Sequence, residues 1–477
     1  MDIPRTPIHD RIEALADSFA AHGHRLYLVG GPVRDHILRR NLRDIDLTTD
    51  ATPDVIRRIA SRAKPSAIYD VGARFGTIGM VFTAADGQPW PVEVTTFRTE
   101  QYTDGTRKPE VRFGTSLEDD LWRRDFTMNA IALDLHDGTV HDPTGGGEAI
   151  AHGVITAVGN AEDRFRDDPL RLLRAVRFTS QLGFVIDAPT EAAISACAGE
   201  LARISRERIA AELNLILVAD RASSGIRMAT ELGLMAHAIP EVLPMLGTSQ
   251  RPRHHKDVFE HTMGVLDNLL DRVDKNGNDA GNGGDLGLRW AALLHDIGKP
   301  STKSVQEGAV HFFGHEEVGA RMARRILRGL NLDSTLVTRV EALIRNHLRI
   351  NAYEPTWTDA AVRRLIREVG PYLDDLITLS RADVTSYRQE KRDAASLRAD
   401  EFARRSAELL AAQDIARLQS PIDGDELMAL FGRPPGPWIR PVKEYLLGLV
   451  LDGELAEDDV ESARTLARAF LEGAAQP

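Results

Sequence analysis

The first hundred residues combine short apolar runs with polar turns, which is typical of strands that alternate with short helices. Residues 25–48 predict a strand, a glycine turn, a helix and a second strand, because RLYLVGG is an apolar run and DIDLTT alternates. Pro32 lies near the start of the predicted helix PVRDHILRR, where proline is well tolerated. TIGMVF (77–82) and WPVEVTTFR (90–98) predict two further strands, separated by the turn-like ADGQP.

From about residue 150 onward the pattern becomes helical almost to the end of the chain. LRLLRAVRFTSQLGF and RERIAAELNLILVAD both place apolar residues at helical spacing. The glycine- and asparagine-rich residues 274–287 predict an exposed loop, and RPPGPWIRP (433–441) predicts a second break. We therefore predict an α+β head over 1–150, an all-α neck over 151–245, a helical bundle over 246–390 and a helical tail over 391–477.

Composition narrows the class of protein. The chain has 477 residues, 43% hydrophobic and 27% charged, which suits about three globular domains. Its net charge of −12 argues against a nonspecific nucleic-acid coat, although five arginines between 164 and 177 allow a local basic face. The single Cys197 excludes a disulfide framework and a thiolate zinc site. Because we find no run of 18 apolar residues and no signal-peptide pattern, we expect a cytoplasmic protein without a membrane span.

Two aspartates mark the first chemical site. Asp44 and Asp46 are two residues apart in a predicted strand, so both carboxylates point to one face. Paired carboxylates beside a phosphate-bearing substrate suit Mg²⁺. Upstream, Gly30 and Gly31 allow backbone N–H groups to approach a phosphate at a helix N-terminus, and Arg34 lies one turn into that helix. The alternative is a solvated Asp-x-Asp pair on a surface strand.

Further residues support a nucleotide site. Glu93 alternates with Val92 and Val94, so it is a candidate third carboxylate for a two-metal centre, or an ordinary exposed strand residue. The most distinctive segment is EDDLWRRDFTMNAIAL (118–133), whose arginine pair suits triphosphate and ribose contacts or, alternatively, salt bridges on a helix. Its candidate nucleotide-binding residues are Arg123, Arg124 and Asp125.

LVGGPVRDHILRRNLRDIDLTT together with EDDLWRRDFTMNA resembles the class II tRNA nucleotidyltransferases, which include the CCA-adding enzymes and the related bacterial poly(A) polymerases. The resemblance covers roughly residues 10–245. It implies a polymerase-β-like catalytic head followed by helical neck, body and tail. It also implies that Asp44 and Asp46 bind the catalytic metal, and that Gly31, Arg34 and Arg124 contact the nucleotide. DPTGGGEAI (142–150) is similar to the hinge-like segment of the family.

The run DDPLRLLRAVRF predicts a selective nucleotide site. Four charged residues follow one another at steps of three: Asp168, Arg171, Arg174 and Arg177. On a helix this spacing places them along one side, in a stripe that turns slowly around the axis. Asp168 offers a hydrogen-bond acceptor and the arginines offer forked donors. An amphipathic helix with a basic face is the alternative. The resemblance implies that Asp168 and Arg171 read the base of CTP or ATP and that Arg174 and Arg177 contact the nucleotide. It further implies a flexible loop at 97–114, with candidates Asp104, Arg107 and Lys108.

A second constellation begins at the doublet His295-Asp296 in RWAALLHDIGKPS. These residues are costly to bury unless they are paired or bind a metal. Histidines and carboxylates on several helices of one bundle are a familiar way to build a metal site. This pattern resembles the HD-superfamily phosphohydrolases over about 250–390, which implies a divalent metal such as Mg²⁺, Mn²⁺, Ni²⁺ or Co²⁺. The predicted ligands are His261, His295, Asp296 and Asp383, with His315 and His347 as further ligands or phosphate contacts; His254, His255 and His311 stay unassigned.

The expected activity is template-independent addition of CCA to the tRNA 3′ end from CTP and ATP, with Mg²⁺ at the head and release of pyrophosphate. The HD module would hydrolyse a phosphoester such as a 2′,3′-cyclic phosphate. Open alternatives are a poly(A) polymerase, an enzyme that adds only CC or only A, a protein that is mainly a phosphohydrolase, and a noncatalytic RNA-binding protein. The sequence leaves the oligomeric state open.

Overall fold

The computed structural model describes residues 6–42, 45–72, 76–101, 110–114, 116–250, 257–270, 285–385, 388–412 and 418–473. Several sequence-predicted residues lie outside these ranges: Asp44, Asp104, Arg107, Lys108, His254 and His255. The described chain forms two compact units, Met1–Ile216 with Met228–Ala238, and Leu217–Arg227 with Ile239–Pro477. The finer division into four domains stays a prediction.

The first part of the chain mixes strands and helices, as the sequence predicts. Its elements are α1 (His9–Ala21), β1 (Leu26–Val29), α2 (Gly31–Ile37), β2 (Ile45–Thr49), α3 (Pro53–Arg62), β3 (Ala67–Gly72), β4 (Thr77–Thr83), β5 (Pro89–Thr96), β6 (Arg98–Gln101), β7 (Glu110–Phe113), α4 (Leu117–Trp122), a 3-10 helix (Thr127–Asn129), β8 (Ala132–Asp134), β9 (Val140–His141), α5 (Gly146–His152) and β10 (Val154–Ile155).

The chain then becomes almost entirely helical. The elements are α6 (Ala161–Asp167), α7 (Leu170–Leu182), β11 (Val185–Ile186), α8 (Ala188–Cys197), a 3-10 helix (Ala198–Arg203), α9 (Arg206–Leu217), α10 (Ala222–Glu231), α11 (Met235–Ala238), a 3-10 helix (Pro240–Met245), α12 (Val258–Leu270), α13 (Leu286–Leu294), α14 (Lys299–Thr302), β12 (Ser304–Gln306), β13 (Ala309–His311), α15 (His315–Gly329), α16 (Ser334–Asn351), α17 (Asp359–Val369), a 3-10 helix (Gly370–Tyr372), α18 (Leu373–Ala382), α19 (Gln389–Ala412), α20 (Gly424–Phe431), α21 (Ile439–Asp452) and α22 (Val460–Gly473). The predicted fold class, an α+β head followed by helical regions, is confirmed.

A seven-stranded mixed sheet organises the head, in the order β3-β4-β5-β2-β1-β8-β9. β2 and β5 pair in parallel, whereas the other described neighbours in this sheet are antiparallel. β1 is buried along its whole length and β2 and β4 are buried at most positions, whereas buried positions alternate along the second half of β5. One core cluster consists of Tyr27, Val29, Phe97, Leu121, Ala130, Ala132 and Val158.

One element differs from the predicted pattern. The stripe from Asp168 to Arg177 was expected on a single helix, but α7 begins only at Leu170. Asp168 ends the preceding helix α6 with extended backbone angles, φ −138° and ψ 97°. The reason is Pro169, because the residue before a proline is disfavoured in helical conformation. Only the three arginines of the stripe therefore lie on α7.

The helices of the described residues include none that is both long enough and apolar enough to cross a membrane.

Candidate functional site

The carboxylates of the head meet on one face of the sheet. Asp46 and Glu93 are register partners in the parallel pair β2–β5. Both are half-buried, and their chain neighbours Ile45 and Val92 are fully buried on the opposite face. The residue directly opposite Glu93 on β4 is Gly79, which has no side chain. Two carboxylates on one face fit the oxygen-rich ligand set that Mg²⁺ prefers.

The glycine turn lies beside two arginines. Gly30 precedes α2 with φ +76°, a conformation that L side chains rarely adopt. A Cβ atom at Gly30 would lie 3.1 Å from Nη1 of Arg124, and one at Gly31 would lie 3.6 Å from Nη2 of Arg34. Two guanidinium groups therefore border the backbone that leads into α2, an arrangement suited to phosphate.

Arg34 is buried, with only 7% of the residue exposed, and hydrogen bonds hold its guanidinium in place. Its Nη1 donates to Oδ1 of Asn129 at 2.8 Å, and its Nε donates to Oδ1 of Asp35 at 2.9 Å. Asn129 in turn donates through Nδ2 to Oδ1 of Asp125 at 3.1 Å. The guanidinium of Arg34 is thus oriented by Asp35 of the same helix and by Asn129 from the segment that follows α4.

A buried aspartate holds the arginine pair. Asp120 on α4 is fully buried, and its two oxygens accept from Arg123 (2.7 Å) and Arg124 (3.1 Å). The backbone N–H of Arg98 donates to the same carboxylate at 3.2 Å. Burial raises the pKa of Asp120, but the charges of Arg124 and Arg123 outweigh it and bring that pKa below its ordinary value. Asp120 is therefore an anion that fixes both arginines.

Asp125 links the same region to α7. Nε of Arg174 donates to Oδ2 of Asp125 at 2.8 Å. Burial raises the pKa of Asp125, yet the charge of Arg174 and the hydrogen bond from Asn129 together lower it well below the usual range. This geometry places Asp125 as a partner of Arg174, so its predicted contact with the nucleotide stays a prediction.

The ring of Phe178 packs against three guanidinium groups. The Cζ atoms of Arg34, Arg174 and Arg177 lie 5.1, 5.5 and 4.4 Å from its centroid, within the range of cation–π contacts. Behind them, Glu212 of α9 lies 3.0 Å from Nε of Arg177 and 4.0 Å from Nη1 of Arg174. Burial raises the pKa of Glu212, and the two arginines oppose this rise.

The residues predicted to read the base have protein partners. Oδ2 of Asp168 accepts from Nη2 of Arg208 at 2.8 Å. Arg171 donates through Nη1 to the carbonyl of Arg164 at 3.1 Å and through Nη2 to the carbonyl of Arg123 at 2.9 Å. Arg171 is thereby placed beside the arginine pair of the head.

Sequence reasoning missed several residues of this network. Four of them are Asp120, Phe178, Arg208 and Glu212. Glu212 had a detectable signal, because it follows buried Ile209 by three residues and so falls on the apolar face of its helix. Asp120 and Phe178 also had one, because Arg123 and Arg124 follow Asp120 by three and four residues and Arg174 precedes Phe178 by four. Arg208 carried no local signal, since its partner Asp168 lies 40 residues away.

The HD module brings six predicted side chains together, hereafter the HD cluster: His261, His295, Asp296, His315, His347 and Asp383. They lie on, or directly at the ends of, α12, α13, α15, α16 and α18. His295 and Asp296 are fully buried. The residues were expected to form one metal site, and the structure divides them around the two oxygens of Asp296.

Oδ2 of Asp296 faces the first group. It lies 3.2 Å from Nε2 of His295 and 3.4 Å from Nε2 of His261. Oδ1 of Asp383 lies 2.9 Å from Nε2 of His261 and 3.4 Å from Nε2 of His295. Nζ of Lys299 donates to Oδ2 of Asp296 at 2.6 Å. This group contains all four residues that the sequence predicted as primary ligands.

Oδ1 of Asp296 faces the second group. It lies 3.5 Å from Nε2 of His315 and 3.8 Å from Nε2 of His347, whose two nitrogens are 3.3 Å apart. Oδ1 is buried and has no hydrogen-bond partner. A buried carboxylate oxygen without a partner is costly, and a bound cation would compensate it. The geometry thus offers two groups of metal-ligating atoms that share Asp296.

Each histidine ring is anchored by its other nitrogen. Nδ1 of His295, His315 and His347 lies 2.7–2.8 Å from the carbonyl oxygen three residues earlier, and Nδ1 of His261 lies 2.8 Å from the hydroxyl of Thr385. Donation to a carbonyl from Nδ1 leaves Nε2 as the lone-pair nitrogen of a neutral ring. The donor chemistry therefore fits a metal.

Charge in the cluster is unevenly distributed. Burial lowers the pKa of His295, but the carboxylates of Asp296 and Asp383 outweigh it and raise that pKa to about 10. Burial, with a contribution from His295, lowers the pKa of His347 to about 4. Without a metal, His295 therefore carries a proton while His347 is neutral, and a cation bound by His295 would have to displace that proton.

Close backbone packing sets the separation of the cluster segments. A Cβ atom at Gly298 would collide with the carbonyl oxygen of His315 and lie 2.7 Å from the backbone nitrogen of Gly319. Only glycine fits at 298, since its φ of −79° is ordinary and space is the constraint. The His295-Asp296 segment and the start of α15 are thus in direct backbone contact.

Comparison with known proteins identifies three domains along the chain. Residues 26–156 match the poly A polymerase head domain, residues 183–246 the probable RNA- and SrmB-binding site of polymerase A, and residues 258–388 the HD domain. A CCA-adding enzyme of Geobacillus sp. (strain WCH70) is 33% identical over 436 residues, covering 91% of this chain and 90% of that protein.

Two further proteins extend the comparison. An A-adding tRNA nucleotidyltransferase of Deinococcus radiodurans is 38% identical over 342 residues, covering 69% of this chain and 74% of that protein. The crystal structure of the Bacillus stearothermophilus CCA-adding enzyme in complex with CTP is 28% identical with a TM-score of 0.66, covering 99% of this chain and 100% of that one. The chain therefore belongs to the class II tRNA nucleotidyltransferases, the family of the CCA-adding enzymes, and is a nucleotidyltransferase that carries an HD domain.

Proposed function

We propose that this enzyme adds CCA to the 3′ end of tRNA from CTP and ATP without a nucleic-acid template. The observation that carries the proposal is the pairing of Asp46 with Glu93 on one sheet face, in a head whose glycine turn is bordered by Arg34 and Arg124. The full-length similarity to CCA-adding enzymes supports this activity over poly(A) synthesis.

The residues of the head have separable tasks. Asp46 and Glu93, with Asp44, would hold Mg²⁺, which when bound favours ionisation of the tRNA 3′-hydroxyl and stabilises the leaving pyrophosphate. Arg34 and Arg124 bind and orient the triphosphate. In the reaction a bond forms between the 3′-oxygen and the α-phosphorus, and the bond from the α-phosphorus to pyrophosphate breaks. Protein groups mainly position the reactants and balance charge.

Base selection follows from the contacts around α7. Asp168 offers an acceptor and Arg171 a forked donor, which together complement the edge of cytosine or adenine. Both side chains have protein partners, so a nucleotide has to compete with Arg208 for Asp168 and with two backbone carbonyls for Arg171. A wrong base would leave these polar groups unpaired, which is an effective means of rejection.

A test of the head uses three tRNAs that lack CCA, CA or only A at the 3′ end. Each is incubated with CTP, ATP or both, and the products are sequenced. We expect CC from CTP alone, terminal A from ATP on the tRNA that lacks only A, and CCA from the mixture. Addition of A alone would instead assign the activity that the Deinococcus radiodurans relative is named for. Long A tracts would assign a poly(A) polymerase.

We also propose that the HD cluster is a divalent-metal phosphohydrolase that acts on 2′,3′-cyclic phosphates, with two cations sharing Asp296. The support is the partnerless Oδ1 of Asp296, which faces two Nε2 atoms, while Oδ2 faces two others. Mg²⁺, Mn²⁺, Ni²⁺ and Co²⁺ are the candidates, and a bound ion lowers the pKa of water and polarises the phosphate. A bond from water oxygen to phosphorus forms and one ring P–O ester bond breaks.

The test compares wild type with a His295→Ala, Asp296→Ala double variant and with His347→Ala. Bound metal is measured by mass spectrometry after loading with each ion, and hydrolysis of a 2′,3′-cyclic phosphate is followed in parallel. We expect two ions in wild type, at most one in His347→Ala and none in the double variant, which still adds nucleotides. If wild type shows no metal-dependent hydrolysis with any of the four ions, the phosphohydrolase proposal is wrong and the HD cluster has a structural role.

A further inference from the structure

An exposed aromatic stack lies between Asp296 and His315 along the chain. The rings of His311 and Phe313 lie with centroids 5.0 Å apart and an interplanar angle of 8°. Phe313 is 66% exposed, which is unusual for a side chain whose burial contributes so much to stability. His311 ends the short hairpin β12–β13, so the stack stands at one end of a small two-stranded sheet.

Phe312, between these two residues, ties the stack to the cluster. Its carbonyl oxygen accepts from Nδ1 of His315 at 2.7 Å, and its ring lies 5.6 Å from Nζ of Lys299. Lys299 in turn donates to Asp296. Through these contacts Phe312 faces the cluster, whereas Phe313 stays exposed.

The stack has the shape and the setting of a nucleobase platform. A flat aromatic face binds any base by stacking, and loss of one such contact typically costs about 5- to 150-fold in affinity. A protein partner would need a larger apolar area, whereas the hairpin exposes only one other large apolar residue among those described, Val305. The positive charge of Lys299 beside Phe312 suits a phosphate more than an apolar peptide.

We propose that Phe313, backed by His311, stacks on the base of the nucleotide whose cyclic phosphate is hydrolysed at the HD cluster. The inference rests on the phosphohydrolase activity proposed above and names its substrate class, a ribonucleotide 3′ end as opposed to a simple phosphodiester. The base would occupy the open face of Phe313 while the phosphate reaches the ions held by the cluster.

The experiment compares Phe313→Ala, Phe313→Trp and Val305→Ala, the last being an equally exposed control on the same hairpin, at 65%. Adenosine 2′,3′-cyclic phosphate and base-free methyl riboside 2′,3′-cyclic phosphate serve as substrates. We expect Phe313→Ala to raise KM at least about fivefold for the nucleoside substrate alone, with kcat unchanged. Phe313→Trp should restore KM, and Val305→Ala should leave it unaltered.

A second measurement keeps the platform testable if wild type hydrolyses nothing. Equilibrium binding of adenosine 2′,3′-cyclic phosphate to wild type and Phe313→Ala separates the two proposals, because binding at the head adds the same background to both. Weaker binding without hydrolysis supports the platform and overturns the hydrolase. Equal binding, or equal effects on both substrates, overturns the platform. A tRNA that ends in a cyclic phosphate, assayed beside the free nucleotide, identifies which source of the 3′ end is preferred.

Discussion

Asp46 of β2 lies directly opposite Glu93 of β5 in the parallel strand pair near the middle of the sheet. Register partners in a sheet present their side chains on the same face. The two carboxylates therefore belong to one electrostatic environment, although 46 residues separate them along the chain. A cation bound by one carboxylate also interacts electrostatically with the other, and replacing either carboxylate changes the electrostatic potential at the other.

The first prediction concerns these carboxylates. Asp46→Asn and Glu93→Gln should each lower the rate of nucleotide addition by at least about 100-fold, because electrostatic groups at the reacting atoms carry much of catalysis. Single-turnover incorporation of CTP measures the loss. Asp86→Asn, on the exposed turn between β4 and β5, is the matched control. Near-normal rates in both variants, with unchanged melting temperatures, would show that these two carboxylates of the head do not take part in catalysis.

Base choice gives the second prediction. Asp168→Ala and Arg171→Ala should reduce the preference for CTP and ATP over UTP and GTP by at least about tenfold, because lost complementary hydrogen bonds relax rejection of wrong bases. Competition assays with all four nucleotides measure the ratio of kcat/KM values. Arg166→Ala is the control, since this arginine pairs with Glu162 on the exposed side of α6. A raised KM for CTP and ATP with unaltered selectivity against UTP and GTP would contradict a role of Asp168 and Arg171 in recognising the base.

Glu212 is expected to act as a positioning residue. Glu212→Gln removes the charge that orients Arg174 and Arg177, so KM for CTP and ATP should rise about tenfold while kcat changes less. Glu212→Asp, which keeps the charge, should recover part of the loss. Glu207→Gln, exposed on the same helix, is the control. An equal fall in kcat for every variant would point to general loss of structure.

Asp120 predicts a pH dependence of stability. Its pKa is lowered in the folded chain, so its contribution is complete above the unfolded pKa, about 3.9, and is lost as pH falls toward the folded value. Asp120→Asn should lower the free energy of unfolding at pH 7 by about 3 kcal/mol, the scale for breaking a buried ion pair. Urea unfolding from pH 7 to pH 3 should show the difference from wild type narrowing below about pH 4. Exposed Asp119→Asn should differ little throughout.

Local patterns in the sequence predicted the strands, the glycine turn and the helical remainder because those features depend on neighbours along the chain. Alternation placed Glu93 opposite Val92 and Val94, and the structure confirms that these valines are buried. The expectation that Asp168 shares a helix with Arg171 was wrong, since Pro169 breaks helical backbone at that point.

Contacts between residues that are distant along the chain depend on how the helices pack and could not be predicted from local patterns. Arg208 reaches Asp168 across 40 residues, and no periodicity along the chain encodes that meeting. The HD cluster shows the same limit. Its six residues were predicted together, but which oxygen of Asp296 faces which imidazole follows only from the relative placement of the helices that carry His261 and His315.

Gly298 carries a consequence for how the two activities proposed for this enzyme can diverge. Because a single added methyl group there meets the backbone of His315 and Gly319, an alanine at this position would push the two halves of the HD cluster apart without altering any ligand. A lineage could thus lose the proposed phosphohydrolase through one small substitution while all six residues of the HD cluster stay in its sequence. The presence of the six cluster residues alone would then predict both activities for such a protein, whereas the residue at position 298 would predict that only nucleotide addition remains.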